Sequence, residues 1–362
     1  MAPTDLLAVF ERVTDPRKRR GRRHRLPVLL TLATCAALAG ARSFTAVAEW
    51  AADAGEVVAV LLGAVRVPDE STFRRVFARL DADTLDQALG AWAAAVTAPG
   101  EGGRRRVAVD GKTLRGSRAG ATAGRHLLAA FDQRHGAVLG QCAVDAKSNE
   151  IPALKTLLAG LDLTGTVVTA DALHTQHDTA AWLVEHEAHY LFIVKANQPT
   201  LHAQLTALPW AQVRTTARAQ DRGHGRAERR IVKATEVRAG IGFPHAVQAI
   251  QITRHRRPLT AQTETVYAVT SLPTHQASPT LLAELARGHW TVENQLHWVR
   301  DVTYGEDHHR ARTGNAPQIM ASLRNLAITI LRLTGTTNIA QALRHHARRP
   351  ERPIETIKKF SC

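Results

Sequence analysis

Two apolar runs in the chain, Arg106-Val-Ala-Val-Asp110 and Thr166-Val-Val-Thr-Ala-Asp171, each end in an aspartate followed at once by turn or helix-start residues. The pattern predicts two strands, each carrying a carboxylate at its end, and carboxylates so placed can share a divalent metal. In a basic protein, the use that such a pair suggests first is metal-assisted cutting of a phosphodiester. That chemistry asks the rest of the chain for a third acid and a surface for DNA.

The charge fits this demand. The formal net charge of +15 over 362 residues and a pI near 10.7 attract phosphate-rich partners before any specific contact forms. A GC-rich genome also produces Arg- and Ala-rich chains without functional demand, so clustering carries more weight than the total. The arm Pro16-Arg-Lys-Arg-Arg-Gly-Arg-Arg-His-Arg25 packs its cations into one stretch. Like charges that dense repel one another unless a phosphate backbone runs nearby, the competing reading being a solvated arm.

Cys35, Cys142 and Cys362 are far apart and odd in number, which indicates neither a disulfide framework nor a zinc site and fits a reducing cytoplasm. The apolar stretch 28–39 is too short to span a bilayer and lacks a secretory cleavage pattern, so it reads as a buried helix, and no membrane partner is expected.

From Pro27 to about Thr97 the spacing is helical and Ala- and Leu-rich, punctuated by Pro27, Gly40, Gly63 and Pro68. An all-α N-terminal domain over 1–98, with the basic arm at 16–25, is therefore expected. Within it, Phe73, Val76, Phe77 and Leu80 share one helical face while Arg74, Arg75 and Arg79 point elsewhere, as in a DNA-reading helix or a plain bundle helix. Pro99-Gly-Glu-Gly-Gly103 cannot continue a helix and marks the linker to a second domain over 104–362.

That domain reads as a strand to Asp110, a hairpin of 127–133 and 138–145 through His135-Gly136, and a helix over 151–161. A strand to Asp171, a helix through Trp182 and a strand over 190–195 follow. Three antiparallel strands and then alternating helices and strands is the order of an α/β, RNase H-like (retroviral-integrase-like) fold, in which strands one and four are neighbours. Asp110 and Asp171 would then lie together. Three alternating segments near 228–238, 246–254 and 264–272 read as a β-rich insertion over about 198–279, before a helical C-terminal part over 280–362.

The third acid is expected in the first of those helices, running from Thr280 past Arg300. There Glu293 shares a stripe with His289, Trp290, His297 and Arg300 by three-to-four spacing. Carboxylates would hold Mg²⁺ or Mn²⁺, and cations would place the phosphates. Two ions on the order of 4 Å apart would activate the attacking oxygen and steady the leaving one. Against this stands the ordinary role of a lone strand-end Asp as a turn or helix cap, and of a lone helical Glu as a solvated group.

Several longer motifs sharpen the reading. They are Val109-Asp-Gly-Lys-Thr-Leu-Arg-Gly-Ser117, Lys147-Ser-Asn-Glu-Ile-Pro-Ala153, Ala170-Asp-Ala-Leu-His-Thr-Gln176 and Tyr190-Leu-Phe-Ile-Val-Lys-Ala-Asn-Gln-Pro199. Also present are His224-Gly-Arg226, Trp290-Thr-Val-Glu-Asn-Gln-Leu-His-Trp298 and Tyr304-Gly-Glu-Asp307. In this order and over nearly the whole chain, they resemble the ISAs-type insertion-sequence transposases, which include the H-repeat-associated proteins and belong to the DDE group.

The resemblance implies that Asp110, Asp171 and Glu293 are catalytic and metal-binding, with Mg²⁺ or Mn²⁺, two ions, as cofactor. It implies cleavage at insertion-sequence ends and strand transfer into target DNA, in a bacterial cytoplasm at the nucleoid, by a homo-oligomer assembled on DNA ends. It also implies that the strands before Glu293 are the insertion of one branch, and that the N-terminal helices are the domain associated with the family. Related transposases carry a Tyr, Arg, Glu, Lys signature whose places fall here on Ala286, His289, Glu293 and Arg300, so only the Glu matches and Arg300 stands for Lys.

Arg287 is a neighbouring cation that would stand in for the missing one. Lys112, Lys147, Lys195, Arg226, Arg287, His289, His297 and Arg300 are the expected DNA contacts, and Asp301, Glu306 and Asp307 are rival metal ligands. The alternative function is a catalytically silent or domesticated DNA-binding protein of the same fold. A covalent recombinase is disfavoured, since Tyr190, Tyr267 and Tyr304 lack an activating constellation.

Overall fold

The computed structural model describes residues 4–62, 66–100, 102–145, 149–215, 217–223, 226–237, 241–257 and 262–361. Helices come first: α1 (Leu6–Arg12), α2 (Leu26–Leu38), α3 (Phe44–Leu62), α4 (Glu70–Arg79) and α5 (Ala82–Val96). Then follow β1 (Arg106–Thr113), β2 (His126–Asp132), β3 (Ala137–Val144), α6 (Glu150–Leu158), β4 (Val167–Ala170), α7 (His177–Glu185), β5 (His189–Val194) and α8 (Pro199–Thr206). The chain continues through β6 (Ala217–Gly223), β7 (Arg226–Glu236), β8 (Gln248–Arg257), β9 (Gln262–Thr270), α9 (Pro279–His289), α10 (Ala316–Leu333), α11 (Ile339–Ala347) and α12 (Glu351–Lys358).

The helix starts have local causes. Asp69 accepts from Thr72 N at 2.6 Å and Asp81 from Thr84 N at 3.0 Å, each satisfying one of the orphan amides of a first helical turn. Pro27 sits in the first turn of α2, where its missing N–H costs nothing. α3 bends at Gly55, whose φ of 37° and ψ of −114° are open to a residue without Cβ.

The chain forms two compact units, residues 1–100, 111–161 and 291–362 in the first and 101–110 and 162–290 in the second. In the first unit β2 and β3 form an antiparallel hairpin with a register shift between Ala130 and Phe131. Leu114 N donates to Arg125 O at 2.8 Å, which ties the end of β1 to the start of β2. The core of this unit holds Phe10, Leu29, Leu30, Phe73, Phe77, Trp92, Phe131 and Leu323, each full burial contributing roughly 1.5–3 kcal/mol. α2 is buried along nearly its whole length, which accounts for the apolar run at 28–39. Among the described residues no helix is long and apolar enough to cross a membrane.

In the second unit β1, β4 and β5 are parallel neighbours. β9 then adds antiparallel to β5, and β8, β7 and β6 follow outward. Val167, Leu191, Val232, Ile250, Ile252, Leu282 and Leu285 pack in one cluster, so the apolar face of α9 covers this sheet.

The structure corrects several expectations. Among the described residues the insertion has four strands instead of three, because β6 (Ala-Arg-Ala-Gln-Asp-Arg-Gly) lacks the apolar alternation by which a strand is recognised. β1 runs on to Thr113, so Lys112 lies inside the strand instead of after it. The expected single helix from Thr280 past Arg300 is α9 followed by two π-helical turns, Glu293–His297 and Val299–Thr303. The basic arm is partly neutralised, since Arg17 pairs with Asp15 at 2.8 Å and Arg22 lies 3.5 Å from it.

Candidate active site

β1 and β4 pair in parallel with Val109 opposite Ala170. Asp110 and Asp171 are the next residue of each, so the two carboxylates leave neighbouring strands at the same level. Buried Val107, Ala108 and Val109 in one strand and Val167, Val168 and Ala170 in the other fix that register. Asp110 is half-buried and Asp171 exposed. Asp171 Oδ1 accepts from Leu173 N at 2.9 Å and so starts the 3-10 turn Ala172–His174. Only one of its two oxygens serves as that cap, and a carboxylate has acceptor capacity beyond it.

Beneath β4 in the same unit lies His289, which is buried, with Nδ1 3.4 Å from Thr169 Oγ1. Burial pushes its imidazole down to about 4, against the pull of Asp171, so it is neutral near pH 7. His289 is thus a packing residue and not a phosphate-binding cation, a correction that periodicity could not supply. Lys195 is exposed just after β5 and Arg287 is exposed on α9. Arg226 begins β7, with its side chain outside the described part, and Lys147 lies outside the described residues.

In the first unit Glu293 is exposed on the first π-helical turn. His297 Nδ1 lies 3.3 Å from its Oε2. That hydrogen bond holds the Glu293 carboxyl below the usual glutamate range, overcoming partial burial, and the Lys112 charge adds to the effect. Lys112 Nζ in turn lies 2.6 Å from the Asp301 carboxylate, and its side chain is mostly buried. His297 is buried beside an acid and Lys112 is engaged by one, so these two expected DNA contacts act inside the protein instead.

Arg300 is corrected most firmly. It is fully buried, and its guanidinium grips Glu306, with Nε donating to Oε2 at 2.9 Å. Its Nη2 lies 2.8 Å from the same oxygen. This pairing also removes Glu306 from the rival metal ligands, because Arg324 takes its other oxygen at 3.0 Å. Burial raises the Glu306 carboxyl, but Arg300 and Arg324 override that and bring it down to about 2. Of the other rivals, Asp301 accepts from Lys112 through one oxygen, and Asp307 lies 3.8 Å from Arg115.

Glu150 is the residue that sequence reasoning passed over. It lies 2.7 Å from His126 Nε2, whose Nδ1 meets Thr113 Oγ1 at 2.8 Å. A Cβ at position 111 would stand 2.2 Å from Glu150 Oε1. Gly111, directly after Asp110 in β1, is therefore the residue that lets this acid approach the strand. The sequence signal for it is the acid of Lys147-Ser-Asn-Glu150, set at the start of α6 behind the Asn149 cap.

The chain is similar to known proteins over most of its length. The family model described as Transposase DDE domain matches residues 101–330, and the one described as DDE_Tnp_1-associated matches residues 7–93. A protein of Escherichia coli O157:H7 named "Putative transposase YncI" is 29% identical over 357 residues, 92% of this chain and 88% of that protein. The "H repeat-associated putative transposase YhhI" of Escherichia coli strain K12 is 33% identical over 243 residues, 62% of this chain and 63% of that protein. A cryo-EM structure of the piggyBac transposase synaptic complex with hairpin DNA aligns with a TM-score of 0.43 and 11% identity, over 98% of this chain and 78% of that one. With one family model spanning well over half of its length, the chain belongs to the DDE-domain transposases.

Proposed function

We propose that this chain is an ISAs-type transposase that cuts DNA at the ends of an insertion sequence and joins the freed 3′ ends to target DNA. In this reading Asp110, Asp171 and Glu293 are the acids. The observation that carries it is the parallel register of β1 and β4, which makes Asp110 and Asp171 neighbours. Two further facts support Glu293 as the third. The His297 hydrogen bond holds its carboxyl below the usual glutamate range, and Lys112, which contributes to that, follows Asp110 by two residues in β1. The strand order supports an RNase H-like core after an N-terminal helical domain ending near residue 98.

The donor set fits a hard divalent ion, since all three proposed ligands are carboxylates. When bound, Mg²⁺ or Mn²⁺, two ions in this reading, polarises the phosphate and generates a nucleophilic oxygen at neutral pH. The chain's own residues orient and hold. The Leu173 amide fixes one Asp171 oxygen, His297 fixes one Glu293 oxygen, and Lys112 with Asp301 braces the strand end. Exposed Lys195 and Arg287 are the cations placed for phosphates. The proposal places the protein on the nucleoid of a bacterial cytoplasm, as a homo-oligomer when two ends are paired.

The test uses labelled DNA carrying the element's own ends and a target plasmid. The expected products are free 3′ hydroxyls and joined strands, formed with Mg²⁺ or Mn²⁺ and abolished by chelator. A product with protein covalently attached to DNA would overturn the reading.

A further inference from the structure

Arg300, Glu306 and Arg324 are all essentially buried and form one ionic cluster. It is tied to several elements of the first unit. Arg300 Nη1 donates to Gln141 Oε1 at 3.4 Å and to Asn325 Oδ1 at 3.3 Å, and Asn325 Nδ2 donates to Gln141 Oε1 at 2.8 Å. Arg324 Nη2 donates to Arg42 O at 3.2 Å, and Arg42 Nη2 returns to Thr303 O at 2.8 Å. Tyr304 OH donates to Ala37 O at 3.1 Å. Residues 300–306 are therefore pinned from α2, the loop after it, β3 and α10.

Burying two guanidiniums and one carboxylate is a poor way to gain stability, since well-packed apolar residues of similar volume do as well or better. What such a cluster supplies is a unique register. Register matters here because the segment holds two consecutive π-helical turns, a rare form concentrated at functional sites. If the turn at Glu293–His297 relaxed to an α-helical one, side chains before it would rotate by about 100° relative to those after it. Glu293 would then face elsewhere.

We propose that Arg300, locked by Glu306 and backed by Arg324, is a positioning residue that holds the π-helical register on which the direction of the Glu293 carboxylate depends. The inference rests on Glu293 being the third acid. It gives Arg300, which the sequence offers as a phosphate contact, a task in the interior.

The test compares wild type with Glu306→Gln, Arg300→Lys and the triple apolar variant Arg300→Met, Glu306→Leu, Arg324→Met. Folding is read by thermal melting, Mn²⁺ binding by calorimetry with the metal alone, and kcat and KM by cleavage of element-end DNA. The triple variant, relieved of buried charge, is expected to melt no lower than wild type. It should lose about 10–100-fold in Mn²⁺ affinity and in kcat, with KM for DNA little changed. Arg300→Lys, which keeps the charge but not the two-pronged grip, should fall between. A folded triple variant, or a folded Glu306→Gln protein, with wild-type Mn²⁺ affinity and kcat would overturn the proposal, as would a loss confined to KM. Glu293→Gln alone separates the underlying reading: if that variant cleaves normally, the acid assignment fails whatever Arg300 does.

Discussion

In the proposed function Asp171 serves fold and chemistry together, since its Oδ1 also caps the Leu173 amide. Asp171→Asn should abolish cleavage and leave the melting temperature nearly unchanged. Asp171→Ala should also cost about 1 kcal/mol through the lost cap, readable as a lower denaturant midpoint. The neighbouring placement of Asp110 and Asp171 was legible in the sequence, because each follows an apolar run and the two runs form paired strands. The cations were not. Spacing placed His289, His297 and Arg300 on one stripe with Glu293, but whether a stripe faces solvent or an interior depends on packing partners far along the chain. For Arg300 those partners are Gln141 and Asn325, 159 and 25 residues away. Glu306→Gln, which leaves two buried arginines without their carboxylate, should destabilise by about 3–5 kcal/mol in chemical denaturation.

At the scale of elements, most helices and strands announced themselves through caps and periodicity. β6 did not, because its sequence Ala-Arg-Ala-Gln-Asp-Arg-Gly is rich in polar residues and lacks apolar alternation, and polar edge strands deter unwanted pairing. The π-helical turns were equally hidden, since apolar spacing of three to four residues fits α and π segments alike over so short a span. One packing contact gives a clean test. α5 meets β3 at Gly90, where a Cβ would stand 2.3 Å from the Leu139 carbonyl oxygen. Gly90→Ala should therefore destabilise by about 1–3 kcal/mol despite its higher helix propensity, and calorimetry should show the drop. A neutral or raised melting temperature would mean that α5 shifts freely on β3.

For the whole molecule, pH reports on a buried hub that no local motif disclosed. Asp86 accepts from Ser322 at 2.5 Å and from Gln318 at 2.9 Å, with Gln141 beyond 3 Å. Burial dominates over these bonds and raises its carboxyl to about 7. A raised carboxyl favours the fold below the unfolded value of 3.8 and withdraws that support as pH climbs through 7. Stability should thus fall between about pH 4 and 7 by on the order of 4 kcal/mol from this group. Asp86→Asn should flatten that slope in melts taken across the range. The net charge of +15 acts at the same scale, and affinity for DNA should fall linearly in log salt, by roughly 0.9 per phosphate neutralised.

The central claim is that three carboxylates from distant parts of the chain make one phosphoryl-transfer site. Single-turnover cleavage of labelled element-end DNA in Mg²⁺ or Mn²⁺, by wild type and by Asp110→Asn, Asp171→Asn and Glu293→Gln, tests it most directly. Each isosteric change should lower the rate on the order of 1000-fold or more, about 4 kcal/mol of barrier, while binding the same DNA. Cleavage at the wild-type rate by any one of the three, in folded protein, would contradict the account.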